Sequence, residues 1–375
     1  MKIAFYAPMK SPDHPRPSGD RLIARLLIKA LQACGHQVEL MSDLRSWEGK
    51  GDQIAQKDIR NQAADISVQL IDDIGHRNNK DQPDLWFSYH PYHKSPDWIG
   101  PPVAAHFNIP YVIAEAIYAI DHKYSEWAVG LQQMIPTLDQ AAAILSINPL
   151  DIPALERLPQ SKDKLHPLRP FLDIQLSDLH GLAIDKAAFA ARYDLDPDLP
   201  WIISVAMMRN DAKLISYQYL AKSLAQLDQA CQILLIGDGQ AREKVEALFS
   251  GQLAQHTRFA GQLNQNDTLQ AMLASDLFVW PAYKEAIGMA ILEAQACGLP
   301  VIAGDSGAIP QIILEGQTGY LCSPDDHVTM ATRIDQLLQD QQQRQQFSDA
   351  ATANFQQHHS IEAAAQAIST VLQSL

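Results

Sequence analysis

The chain has 375 residues, 47% of them hydrophobic and 19% charged, a globular composition longer than one hydrophobic core usually supports, so two domains are expected. Its formal net charge of −14 excludes nucleic acid as a general partner, since a phosphate backbone needs a basic face, yet leaves room for a small cationic pocket around one diphosphate. No stretch approaches the roughly 18 uninterrupted apolar residues of a membrane-crossing helix, and residues 1–8 read as a first strand rather than a signal peptide, so a cytoplasmic location is expected.

In chain order, apolar spacing predicts a strand at 3–8 and an amphipathic helix over 19–34 closed by Gly35. Further strands follow at 37–41, 84–88, 111–114 and 143–146. Residues 158–200 are rich in Pro, Asp and Lys, with strand character only at 164–170, and read as the linker. The rhythm then restarts with strands at 201–206, 232–236, 258–260, 277–280, 300–303 and 319–321. Strand alternating with helix is the pattern of parallel sheets covered on both faces, so two consecutive doubly wound α/β units are expected. The expected divisions are 1–165, 166–355 and a C-terminal helix, 356–375, able to pack back on the N-terminal domain. From about residue 336 the chain is Gln-rich, but Leu, Phe and Ala recur there at helical spacing, which predicts solvated helices. Cys34, Cys231, Cys297 and Cys322 are far apart among apolar residues and read as small buried hydrophobes in a reducing compartment.

The densest chemistry lies in Trp280-Pro-Ala-Tyr-Lys-Glu-Ala-Ile-Gly-Met-Ala-Ile-Leu-Glu-Ala-Gln-Ala-Cys-Gly-Leu-Pro300, a buried strand, a loop and a helix starting near Gly288. The N–H groups of Ala286, Ile287 and Gly288 would project from the positive end of that helix, a natural cradle for phosphate. Glu285 lies just before the helix and Glu293 on it. Carboxylates beside such a cradle suit sugar hydroxyls, while a dipole partner or a surface charge is the plainer alternative, and the residues alone leave both open.

Seven residues separate Glu285 from Glu293, and the helix runs on through Ala-Gln-Ala-Cys-Gly-Leu-Pro-Val-Ile-Ala303 to Gly307, Gln311 and Glu315-Gly-Gln-Thr-Gly-Tyr-Leu321. This run resembles the signature of retaining glycosyltransferase family 4, written E-x7-E followed by CG-x-PV and DG-x-TG. The resemblance extends upstream. Ser204-Val-Ala-Met-Met-Arg209-Asn-Asp-Ala-Lys213 stands where the family places Arg and Lys on the donor diphosphate, one residue shorter between them and with Leu214 in place of a Gly. Ile236-Gly-Asp-Gly-Gln240 is similar to the family's second strand and its structural glycine turn. Phe259-Ala-Gly-Gln-Leu263 is similar to the segment whose backbone reads the base, near Gln262 and Leu263. In the N-terminal half, Pro17-Ser18-Gly19-Asp20 stands at the family's glycine loop, and Glu115 occupies a position where many relatives have a His facing the donor sugar.

The resemblance implies a GT-B fold, two Rossmann-like doubly wound parallel-sheet domains facing a central cleft. It implies transfer of a sugar, with retention, from a nucleotide-diphosphate sugar to an acceptor. Arg209, Lys213 and Glu285 would be catalytic. Glu293, Ala286, Ile287, Gly288, Gly19, Leu263 and Glu115 would bind the donor, Glu293 at the ribose and Glu115 as an acceptor of sugar hydroxyls. No cofactor and no metal are expected, since no Asp-x-Asp follows a strand in the place required. The acceptor stays open among a saccharide, a lipid-linked saccharide and a small molecule. Arg21, Arg25 and Lys29, four apart on one helix, read as a solvated stripe, with a weak peripheral membrane contact as the sharper reading. His90 and His93 read as cleft-lining or structural rather than metal ligands, because Pro91 breaks any helix between them. A non-catalytic sugar-binding GT-B protein and a nucleotide-sugar epimerase or sugar-phosphate synthase remain as alternatives.

Overall fold

The computed structural model describes residues 1–16, 18–159, 161–182 and 186–375. The first part of the chain alternates β1 (Lys2–Tyr6), α1 (Gly19–Ala33), β2 (Gln37–Ser42), α2 (Gln53–Gly75), β3 (Leu85–Tyr89), α3 (Gly100–Phe107), β4 (Tyr111–Ala114), α4 (Ala128–Gln140), β5 (Ala141–Ser146), α5 (Ile152–Glu156) and β6 (Leu165–Pro167). The second continues with α6 (Leu176–Gly181), α7 (Lys186–Tyr193), β7 (Trp201–Val205), α8 (Ala212–Leu224), β8 (Gln232–Ile236), α9 (Arg242–Leu248), β9 (Thr257–Gly261) and α10 (Gln265–Ala274). It ends with β10 (Leu277–Trp280), α11 (Met289–Ala296), β11 (Val301–Gly304), α12 (Ile309–Ile312), β12 (Gly319–Cys322), α13 (His327–Gln339), α14 (Gln341–His358) and α15 (Ile361–Leu372).

Two compact units result. One comprises Met1–Leu168 together with Ile361–Leu375, the other Arg169–Ser360. Each is built on a six-stranded sheet of parallel pairs, ordered β2-β1-β3-β4-β5-β6 in the first and β12-β11-β10-β7-β8-β9 in the second. The expected α/β architecture with two doubly wound sheets is therefore observed. Strands such as β3 and β8 are buried at every residue, as a sheet covered on both faces demands. Strand order reverses between β1 and β3 in the first sheet and between β7 and β10 in the second, and ligands of open α/β sheets bind outside the carboxyl ends of strands at such points.

Local signals explain most element boundaries. The Ser18 side chain caps α1 by accepting from Arg21 N at 3.3 Å, and Gly35 leaves the helix with φ 81°. The linker expected to be strand-like at 164–170 pairs only over Leu165–Pro167. Helix α2 carries little apolar periodicity, burying just Ala63, Ser67 and Ile74 of its 23 residues, so its pattern announces no core face. Helix α15 packs on α1, where Cys34 Sγ–H donates to Ala365 O at 3.1 Å. Among the described residues no helix is long and apolar enough to cross a membrane.

One buried acid organises the first unit. Asp97, fully buried, accepts from Ile99 N (2.9 Å), Gly100 N (2.7 Å), Tyr111 Oη (2.8 Å) and Ser88 Oγ, tying β3, β4 and the start of α3 together. Burial raises its pKa despite these donors. Asp97→Ala strands four buried donors, and each unsatisfied group costs about 1–3 kcal/mol, so urea denaturation should show a loss of about 3 kcal/mol or more. A change below about 0.5 kcal/mol, the size of an ordinary surface substitution, would show that the carboxylate is not the hub of this junction.

Candidate functional site

The second sheet's reversal point gathers several expected site residues. After β7, the chain is pinned as it leaves the strand. Tyr217 Oη donates to Ala206 O at 2.7 Å, Met208 N donates to Asp238 O at 2.9 Å, and Ala241 N donates to Met208 O at 2.8 Å. Gly239, at φ 149°, is what lets the turn after β8 press this closely, since a Cβ there would run into the Met208 carbonyl. Asp211 then caps α8 by accepting from Lys213 N at 2.9 Å, which places Lys213 in the helix's first turn. Arg209, half-exposed, lies with Nε 3.0 Å from Asp211 Oδ2.

The loop after β10 faces this segment. Ala282 (φ 55°) and Lys284 (φ 51°) hold left-handed conformations on either side of Tyr283, whose N–H donates to Ser216 Oγ of α8 at 3.0 Å. Such strain persists only where surrounding contacts over-determine it. Here Ser306 Oγ donates to Glu285 O (3.2 Å) and Ala308 N donates to Ala286 O (2.9 Å). Gly307, at φ 55°, allows that approach, because a Cβ would collide with both the Glu285 and Ala286 carbonyl oxygens. The N–H groups of Ala286, Ile287 and Gly288 have no acceptor among the described residues and sit at the start of α11, whose partial positive charge favours an anion.

Glu285 and Lys213 meet as an ion pair through Oε2 and Nζ, with side chains 19% and 18% exposed. Trp280 Nε1 donates to the same carboxylate at 3.3 Å, and the Lys213 ammonium lies 5.4 Å from the Trp280 ring centroid. The carboxylate of Glu293, in the second turn of α11, has no hydrogen bond or ion pair among the described residues, and burial pushes its pKa up to about 7. Leu263 stands between β9 and α10, just before the capping Asn264, and its backbone N–H is unpaired among the described residues.

Gly19 and Glu115 belong to the first unit. Gly19 is the first residue of α1, exposed, and a Cβ on it would touch nothing, so packing does not require glycine there. Pro17 of the same motif lies outside the described residues. Glu115 corrects an expectation. Its carboxylate is not free for sugar hydroxyls: it is 5% exposed and accepts from Ile147 N (2.6 Å) and Asn148 N (3.1 Å), capping the end of β5. Burial raises its pKa to about 7, the nearby His90 and these amides opposing. The solvated stripe is also corrected in part, because Arg21 and Arg25 both turn Nε inward to Pro12 O, at 3.3 and 2.6 Å. His90 pairs through Nδ1 with Asp20 Oδ1 at 2.9 Å, whereas His93 is buried and stacked on His122 with ring centroids 4.1 Å apart. Burial, then His122 and Lys94, lower the His93 pKa to about 4. Sequence reasoning missed Trp280 and Tyr217 as partners of the site. Trp280 opens the quoted motif and Tyr217 lies four residues past Lys213, but nothing in their spacing announced their contacts.

Residues 185–354 match the model of the family described as glycosyl transferases group 1. Over 159 residues the chain is 36% identical to sulfoquinovosyl transferase SQD2 of Arabidopsis thaliana, covering 42% of this chain and 30% of that protein. Over 135 residues it is 33% identical to N-acetyl-alpha-D-glucosaminyl L-malate synthase of Bacillus anthracis, covering 36% and 34%. The chain thus spans about a third of the length of these curated relatives. Among solved structures it resembles a glycosyltransferase from Rickettsia africae (TM-score 0.74, 15% identity, covering 100% of this chain and 97% of that one). It also resembles Anabaena Alr3699/HepE in complex with UDP (TM-score 0.74, 18% identity, 100% of both). The fold is GT-B.

A carboxyl group raised by burial binds a proton in the folded state that the unfolded chain has released, so ionising it weakens folding. For Glu293 the window runs from the ordinary 4.5 to about 7. Glu293→Gln should therefore stabilise the ligand-free protein progressively as pH rises through that window and level off above it, by about 1–3 kcal/mol. Denaturation of both proteins at four or five pH values reads the difference, and a flat difference would show an ordinary, solvated carboxylate.

Proposed function

We propose that the chain is a glycosyltransferase that moves a sugar from a nucleotide-diphosphate sugar to an acceptor with retention of configuration. The observation that carries this reading is the Lys213–Glu285 pair beside the unpaired amides at the start of α11, with Arg209 held on Asp211 at the cap of α8, at the reversal point of the sheet in the unit that matches the glycosyltransferase family. Sugar transfer requires positive charge where the diphosphate departs. Arg209, Lys213 and the amides of Ala286, Ile287 and Gly288 supply it from fixed positions, which spares the reorganisation that water would need. Glu285, released from Lys213, accepts from hydroxyls of the donor sugar. Glu293 accepts from the ribose, and the backbone near Leu263 meets the base. The departing phosphate oxygen takes the proton of the acceptor hydroxyl, on the face from which the diphosphate leaves.

Structures of the Anabaena protein hold UDP and UDP-glucose, which makes UDP the first nucleotide to test here. Calorimetry should show UDP binding by the wild type and a loss of about 1.5–3 kcal/mol in Glu293→Gln, where a ribose hydroxyl loses its charged acceptor. Glu285→Gln should keep UDP affinity and lower sugar transfer. Lys213→Ala should cut transfer from UDP-glucose, followed as UDP release, by about 10²-fold or more. UDP affinity lost in Glu285→Gln but kept in Glu293→Gln would reverse the two roles. Because cationic side chains and amides meet the diphosphate in this reading, activity should survive EDTA, and complete loss restored by Mn²⁺ would overturn that part.

A further inference from the structure

Guanidinium groups grip the loop that follows β1 from two sides. Arg21 and Arg25 of α1 donate Nε–H to Pro12 O, and Arg45, beyond β2, donates Nε–H to Met9 O at 3.1 Å with its guanidinium 4.4 Å from the Trp47 ring centroid. These bonds use Nε, so the outer nitrogens of Arg21 and Arg45 have no hydrogen bond or ion pair among the described residues, while Arg25 meets Asp13 at 3.8 Å. Amid these groups sits Lys10, 8% exposed and without a hydrogen bond or ion pair among the described residues. The charges acting most strongly on it are Arg45, Asp20, Arg16 and Arg21, and burial together with the three guanidinium groups lowers its pKa. Asp20 is the acid of that set, and its carboxylate is already engaged by His90. Asp43 nearby takes the Ser11 hydroxyl at 2.5 Å.

A covered cation crowded by like charges is unfavourable until an anion joins it. In a chain of net charge −14 this local excess is notable for its sign. It also sits at the carboxyl end of β1, beside β3, the reversal point of the first sheet. His90, immediately after β3, has Nε2 unbonded among the described residues, a partner for a hydroxyl.

We propose that this cluster is the acceptor site, and that the acceptor is a hydroxyl compound bearing a phosphate or carboxylate, its anionic group held by Lys10, Arg21 and Arg45 and a hydroxyl by His90. The word acceptor rests on the glycosyltransferase reading; the anion site does not.

Calorimetric titration of the full chain with glucose 6-phosphate and with glucose, each with and without saturating UDP, tests it. Glucose 6-phosphate should bind at least about tenfold more tightly at low salt, and the preference should shrink as salt rises. Lys10→Met and the exposed Arg16→Gln should each erode that preference by several-fold while UDP affinity stays near wild type. Equal affinity for the two sugars, or an undiminished preference in both variants, overturns the proposal. UDP affinity lost in Lys10→Met overturns it too, since the cluster would then serve the nucleotide. A wild type that ignores UDP yet prefers the sugar phosphate keeps the anion site and sinks only the transferase reading. Sedimentation with phosphatidylglycerol vesicles separates the sources of the anion: pelleting abolished by Lys10→Met places the same chemistry on a lipid headgroup.

Discussion

The pairing of Lys213 with Glu285 is the constraint around which the C-terminal unit is arranged. Two charges at about one-fifth exposure are tolerable only together, because either alone would be largely desolvated without a partner. Bringing them together fixes much else. Helix α8 must begin at Asp211 so that Lys213 falls in its first turn, and the β10 loop must take two left-handed residues to aim Glu285 back at it. Glycines at 239 and 307 then permit backbone to lie against backbone on both sides. In this structure the Glu285 carboxylate takes up the Lys213 ammonium, so the pair stands neutral as a unit.

The two sheets treat their reversal points differently. At β7 and β10 opposite charges are matched within the protein, and the exposed demand is for hydrogen-bond acceptors on unpaired amides. At β1 and β3 the acids Asp13, Asp20 and Asp43 are engaged by Arg25, His90 and Ser11, while Lys10, Arg21 and Arg45 have no ion pair among the described residues. One unit therefore waits with its charges satisfied and the other with them unsatisfied. Such an asymmetry favours ligands of different character on the two sheets.

Strand positions were legible to within a few residues, and β4, β8 and β10 to the residue, because parallel strands covered on both faces leave an uninterrupted apolar run. The long helix α2 was not, since it buries so little that no periodicity marks it. The same division holds for the site. The spacing of Glu285 and Glu293 and the start of α11 at Gly288 are local facts and could be read. That Glu285 would meet Lys213, 72 positions away, is a tertiary fact with no local trace. Glu115 shows the limit most sharply: the family resemblance suggested an acceptor of sugar hydroxyls, but the amides of Ile147 and Asn148 sit close enough to bond its carboxylate. A carboxylate's role is decided by which donor reaches it, and backbone donors are invisible in a list of side chains.

Helix α15 closes the first sheet's unit from the far end of the chain. Its apolar face, Ile361, Ala364, Ala365, Ile368 and Leu372, lies in the unit that begins at Met1, and it packs on α1. During synthesis the first 168 residues must therefore wait, with one flank of α1 bare, while the whole of Arg169–Ser360 is made. At about 5–20 residues per second, that interval of ribosomal translation lasts on the order of ten seconds or more. The unit that carries β1 is translated ahead of its neighbour and cannot be finished ahead of it.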